Sequence, residues 1–239
     1  MAGWKPDAEQ IASGRLAGAD LSGMELKEHN FRQADLEGAD LAGADLREAN
    51  FWGANLSGAD LNEANARVAN FQGANLTNAQ LGEANLWGAN LKVARLSGAF
   101  LARANMAQAD LPGAQCAGAN FTEANLWGAV LRLTTLSDAN MAKVQLGLAK
   151  MEQAVLDGAN LREADLTGAN LRGASLIGAD FTAAVLRDAR FREANLTRVD
   201  FRDADLKQAF FDDATFDGTI MPDGTIEAGP LHEWPPESD

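Results

Sequence analysis

Two histidines, His29 and His232, one cysteine, Cys116, and 34 Asp and Glu residues are the groups with which this 239-residue chain could do acid–base, nucleophilic or metal chemistry. A Ser-His-Asp relay or a His-rich metal site needs an imidazole held beside other functional groups on a rigid surface. His29 stands near one end and His232 near the other, and the long stretch between them has none. The glycines recur with a short period instead of forming a G-x-G-x-x-G phosphate loop ahead of a helix. A single Cys makes no internal disulfide, and Cys116 occupies a position that its neighbours in the pattern fill with Leu, so it reads as a buried small hydrophobe. Asp20, Asp40 and Asp60 recur at one spacing, with Glu63 and Glu83 near them. Stacked about 5 Å apart in water, such carboxylates repel by about 1 kcal/mol or less per pair. A column of this kind could hold Ca²⁺ weakly, but it reads first as a solvated polar face. Asn65, Asn85, Asn105 and Asn125 read as a structural ladder of amides. Enzymatic activity, a metal and a cofactor are therefore not expected.

The elements that position these groups follow from a five-residue period. From Leu16 to Phe216 the chain contains 41 consecutive pentapeptides whose central position holds 27 Leu, 9 Phe, 3 Met (Met106, Met141, Met151), Cys116 and Ala66. Two residues earlier, 35 of the 41 are Ala, and one residue earlier 25 are Asp or Asn. In an extended segment, residues i−2 and i project to one side and i−1 to the other. Each unit thus turns one small and one large apolar residue inward and a short polar residue outward. A helix cannot use this pattern, because residues five apart advance about 500° and the apolar stripe winds around the axis. A flat strand cannot either, since an odd period sends successive Leu residues to opposite faces. Short extended pieces joined by corners can, and Gly at i+2 in 17 units is the residue a type II turn wants at positive φ. Gly is found at 8 of the 11 i+2 sites in the Leu16, Leu36, Leu56 series but only at Gly23 and Gly43 in the Leu21 series. That bias follows if four corners close a square coil and each series forms one wall of a prism.

The run A-[DN]-L-x-x, as in Ala39-Asp40-Leu41-Ala42-Gly43, resembles the pentapeptide-repeat family across about residues 14–220. The resemblance implies an all-β fold, a right-handed quadrilateral parallel β-helix, and the hand agrees with the rule for parallel crossovers. About ten coils at roughly 4.8 Å each would make a rod about 48 Å long. Residues 1–13 read as an N-terminal capping segment with a short helix between Pro6 and Gly14, residues 14–220 as the β-helix, and residues 221–239 as a cap turn (Pro222-Asp223-Gly224) and an acidic disordered tail. Met24 and His29 replace the inward Ala, which predicts an irregular first coil. Ala66, between Leu46 and Leu86, predicts a gap or a local collapse.

Some members of the family are acidic rods that mimic DNA and bind type II topoisomerases, affecting quinolone sensitivity, so it matters where the net charge of −14 lies. The Leu16, Leu21 and Leu26 series carry −2, −6 and −2, and the Phe31 series +2. A DNA duplex of about 48 Å carries roughly 28 charges, far more than these walls. The gyrase-binding members also tend to have loops interrupting the coils and a C-terminal dimerising helix, which this sequence lacks. The DNA-mimic reading, with Asp20, Asp40, Asp60, Glu63 and Glu83 as its acidic wall, is the alternative. The leading reading is a structural or protein-interaction scaffold, its partner another protein and not nucleic acid or membrane. Its candidate contact patch is Trp87, Trp127, Val130, Arg132 and Leu148, because outward aromatics beside Arg have the composition of binding hot spots. No apolar run approaches the length of a membrane span and the start lacks a signal-peptide pattern, so a cytoplasmic monomer or weak dimer is expected.

Overall fold

The computed structural model describes residues 5–227, 229 and 233–234. Parallel bridges join each residue at i−1 to the residue twenty positions on, from Arg15 with Asp35 to Asp200 with Ile220, without a slip. Twenty residues are four pentapeptides, so the chain returns over itself after every fourth unit and forms a β-helical solenoid.

Four of the five backbone N–H groups of a unit are spent in the same way wherever the unit has a coil on both sides, and the first and last coils keep the part of the pattern that faces a neighbour. Leu16 N–H donates to the Asp35 carbonyl (2.7 Å) and Gly18 N–H to that of Glu37 (2.8 Å), while Asp35 N–H donates back to Gly14 (2.8 Å). Ala19 N–H closes the corner on Leu16 (3.0 Å). The third residue of every such corner has positive φ, whether Gly18 (65°) or a non-glycine such as Glu123 (58°), which is the type II signature. Glycine eases this turn; the ladder enforces it elsewhere.

The inward residues form one continuous core. Leu16, Leu86 and Leu166 are 0% exposed and their equivalents are all buried, as is Cys116, whose thiol pKa burial pushes up to about 12. Phe31, Phe51 and Phe71 stack at 4.9 and 4.8 Å. Further along, Phe181 lies over Phe201 (5.4 Å) and Phe191 over Phe211 (5.2 Å), and the two columns meet edge to face, as in Phe191 and Phe201 at 5.8 Å. Thr134 and Thr219 are buried polar residues in this core, and each hydroxyl donates to a carbonyl, of Leu111 (2.8 Å) and Leu196 (2.7 Å).

The structure narrows two expectations, a gap or a collapse at Ala66 and an irregular first coil. At Ala66 the backbone does not collapse: Leu46 N–H reaches Asn65 and Ala66 N–H reaches Asn85, both at 2.8 Å. The first coil keeps its backbone pattern through Met24 and His29, with Asn50 N–H on the His29 carbonyl at 2.9 Å. Only the side chains depart, because the imidazole stays exposed, 6.1 Å from the Phe31 ring.

Helix α1 (Ala8–Ser13) precedes the coils, held by a capping box between Asp7 and Gln10 and ended by Gly14 in the left-handed region. Ile11 and Met24 pack partly against the core. At the other end β1 (Ala209–Phe210) pairs antiparallel with β4 (Glu233–Trp234), and β2 (Thr219–Ile220) with β3 (Ile226–Glu227). A part of the segment read as a disordered tail is therefore paired to the last coils; its residues 228, 230–232 and 235–239 lie outside the described residues.

Candidate protein-contact wall

The wall centred on Leu26, Leu46, Ala66, Leu86, Met106, Leu126 and Leu146 carries a single charged residue, Arg67, between Ala64 and Leu148. Its outward side chains are large. Val68 is 51% exposed, Trp87 39%, Trp127 48% and Leu148 54%. Trp87 and Trp127 share the i+1 position two coils apart, roughly 9.6 Å at the usual strand spacing, and Ala107 lies between them, almost buried.

Three of these side chains, Val68, Trp127 and Leu148, lie against the following coil, where a glycine makes room. Trp127 Cδ1 comes within 3.0 Å of the place a Cβ of Gly147 would take, and Leu148 Cδ2 within 2.8 Å of that of Gly168. Val68 covers Gly88 in the same way, at 3.8 Å. The Arg67 guanidinium lies over the Trp87 ring, 4.9 Å from its centre, a cation–π contact with an indole that remains partly exposed.

The candidate residues do not all converge. Trp87, Trp127 and Leu148 share this wall, and Val130, half-buried, begins the outward face of the next. Arg132 is committed elsewhere. Its guanidinium makes two bonds to Glu152 (2.9 and 2.8 Å), and Glu152 also accepts from Asn170 (3.0 Å). The Arg132 hydrogen bonds hold the Glu152 carboxyl below its ordinary pKa against the opposing effect of burial. With Arg172 on Glu193, this row borders a cleft of about 430 Å³. Arg67 and Val68 are the residues that the sequence reading missed. Sorting outward positions by a period of twenty exposes them, since Arg67 precedes Trp87 in its column as Val68 precedes Gly88.

The carboxylates of the alternative wall are engaged locally. Asp20, Asp40 and Asp60 bridge in succession, and each side chain accepts the N–H two residues on, from Ser22 (3.1 Å), Ala42 (3.0 Å) and Asn62 (2.9 Å). The Ser22 hydroxyl, followed by the Ser22 N–H, lowers the Asp20 pKa, and Lys5 lies 3.6 Å away. Glu83 pairs with Arg103 (2.5 Å). Glu63 and Glu83 fall at the corner between the Leu21 and Leu26 walls, so they edge the tryptophan wall instead of continuing the Asp column. The expected amide ladder is also shifted. Asn90, Asn70 and Asn50 bond at 3.0 and 3.1 Å, but Asn125, Asn105 and Asn85 only at 3.5 and 3.4 Å, and Asn65 Oδ1 is buried without a partner. Among the described residues no group of His, Cys, Asp and Glu is arranged to hold a metal ion, and no helix is long and apolar enough to cross a membrane.

The family model for pentapeptide repeats matches in eight copies spread over residues 15–221. Among solved structures, the chain is similar to HetL, a pentapeptide repeat protein involved in heterocyst differentiation regulation from the cyanobacterium Nostoc sp. strain PCC 7120. That similarity is 34% identity over 93% of this chain and 100% of HetL, with a TM-score of 0.77. A pentapeptide repeat protein from the Arabidopsis thaliana thylakoid lumen matches at 32% identity over 57% of this chain and 78% of its own, TM-score 0.33. QnrB1, a plasmid-mediated fluoroquinolone resistance protein, matches at 21% over 80% and 85%, TM-score 0.41. Comparison with curated proteins returns no match. With its in-register units, its twenty-residue ladder and these matches, the chain belongs to the pentapeptide-repeat family.

Proposed function

We propose that this protein is a non-enzymatic scaffold that binds another protein through the wall carrying Trp87, Trp127 and Leu148, with Val130 at its corner. The observation that carries the reading is the pair of half-exposed indoles on a stretch of wall whose sole charge is Arg67. Rigid aromatic area of this kind, close to donors, supplies most of the energy in protein interfaces. The scaffold is a right-handed square rod of about ten coils over residues 14–220. Residues 1–13 and 221–239 cap its ends, and it works in the cytoplasm as a monomer or weak dimer.

Replacing Trp87 and Trp127 by Ser tests this directly. Both side chains lie outside the core, so far-UV circular dichroism should not change, while capture of the native partner should weaken by about 2 kcal/mol or more. Unchanged capture, with loss instead on charge reversal at Asp40 and Asp60, would favour the DNA-mimic reading. A gyrase supercoiling assay with and without a quinolone then decides that alternative.

A further inference from the structure

The tryptophan wall runs between two rims of opposite residual charge. On the Leu21 side Glu83 pairs with Arg103 (2.5 Å) and Lys143 with Glu163 (3.6 Å), while Glu63 and Glu123 have no ion pair among the described residues. On the Phe31 side Lys92 pairs with Asp110 (2.6 Å) and Arg132 with Glu152 (2.8 Å), and Lys150 has no ion pair among the described residues. One rim is thus left acidic and the other basic, with an uncharged stripe and Arg67 between them.

The backbone of the wall decides what form a partner can take. Asn85 N–H, Leu86 N–H and Gly88 N–H are already spent on Ala64 (2.9 Å), Asn105 (2.7 Å) and Ala107 (3.0 Å), and the next coils repeat this. No edge is open for strand addition, so a segment seated here must satisfy its own backbone groups, as a helix does. The spacing suits one. Seven helical residues rise about 10.5 Å, against roughly 9.6 Å between Trp87 and Trp127. From Val68 to Leu148 is four coils, roughly 19 Å, or about 13 residues of helix.

We propose that this wall seats an amphipathic helix of the partner, aligned with the rod, that has apolar residues at heptad spacing, one acidic flank and one basic flank. An apolar side chain enters the notch over Ala107 between the two indoles, the acidic flank faces Lys150, and the basic flank faces Glu63 and Glu123. The proposal rests on the contact-wall reading and narrows its partner.

The test uses the full chain and three fluorescein-labelled helical peptides of about 16 residues with a common Leu face. One has a Glu flank and a Lys flank, one has two Glu flanks and one has two Lys flanks. By fluorescence anisotropy the mixed peptide should bind about tenfold more tightly than either other. Changing Trp87 and Trp127 to Ser should weaken it by about tenfold or more. Changing Lys92 and Lys150 to Glu makes both rims acidic and should transfer the preference to the two-Lys peptide. Tightest binding of the two-Lys peptide by the unaltered chain would overturn the proposal, because net charge alone would explain it. Absence of binding by all three would also overturn the helix, leaving the contact wall to be judged by capture of the native partner. Binding of the mixed peptide that ignores the Trp changes would overturn both readings.

Discussion

The Asp or Asn before each large core residue is more than a solvated outward group. The fifth N–H of the unit, at i+1, has no place in the ladder, and in many units the i−1 Asp or Asn accepts it, as Asn50 does from Trp52 (3.1 Å) and Asn75 from Thr77 (3.2 Å), whereas Asn65 Oδ1 accepts nothing. Asn75 also accepts the Thr77 hydroxyl (2.7 Å) and donates to Asn55 (3.0 Å). Asn75→Ala should therefore cost about 1–2 kcal/mol in denaturant unfolding, and a cost near zero would show that water replaces the amide. Charge acts at the same scale at Asp45. Hydrogen bonds from the Arg47 side chain, opposed by desolvation and aided by the Arg47 N–H, lower its pKa from 3.8 to about 2. Since the folded pKa is the lower one, the stabilisation is present above the unfolded value and is lost as pH falls through the folded value of about 2. A carboxyl-carbon NMR titration should show Asp45 moving back toward 3.8 in Arg47→Ala.

At the scale of the element, the pentapeptide corner imposes left-handed geometry on residues that resist it. Val93 (φ 51°) and Val68 (φ 58°) are β-branched at this position, where Gly or Asn fits without strain. Val93 is 56% exposed, so little packing opposes a change. Val93→Asn should raise stability by about 1 kcal/mol, measured as a higher urea midpoint with an unchanged m-value. A lower midpoint would mean that covering Gly113, with Val93 Cγ1 3.3 Å from where its Cβ would stand, matters more than the strain. The same corners explain the tryptophan wall. A large residue at i+1 or i+2 lies flat only if the residue twenty positions on is small, and Trp127 over Gly147 and Leu148 over Gly168 meet that condition.

The whole molecule is a stack in which each layer is stabilised by its neighbours. Leu166 is fully buried in such a layer, and Leu166→Ala should cost about 2–5 kcal/mol through the cavity it leaves. A loss below about 1 kcal/mol would show that neighbouring layers close over the gap. Ala66 is the converse case. Its ladder bonds are as short as those of its neighbours, 2.8 Å, although its side chain has three carbons fewer than that of Leu46 or Leu86, so the backbone has not closed in on the smaller residue. Ala66→Leu should accordingly stabilise by about 0.5–2 kcal/mol in thermal unfolding. Destabilisation would show that neighbouring side chains have filled the space.

The sequence alone determined the period, the inward and outward faces and the identity of the core, because a side chain's face follows its place in a short repeat, with His29 in the first coil the exception. It also made Trp87 and Trp127 outward, since i+1 lies on the corner and not on the inward side of the unit. The tertiary structure alone decided what happens between residues twenty apart. That Arg132 is spent on Glu152, that Arg67 lies on Trp87, and that Asn65 is left out of an amide ladder all depend on rotamers chosen across coils. The pairing of Glu233–Trp234 with Ala209–Phe210 belongs to the same class. Composition marks such a segment as polar, whereas the unpaired edge of the last coils supplies the partner that orders it.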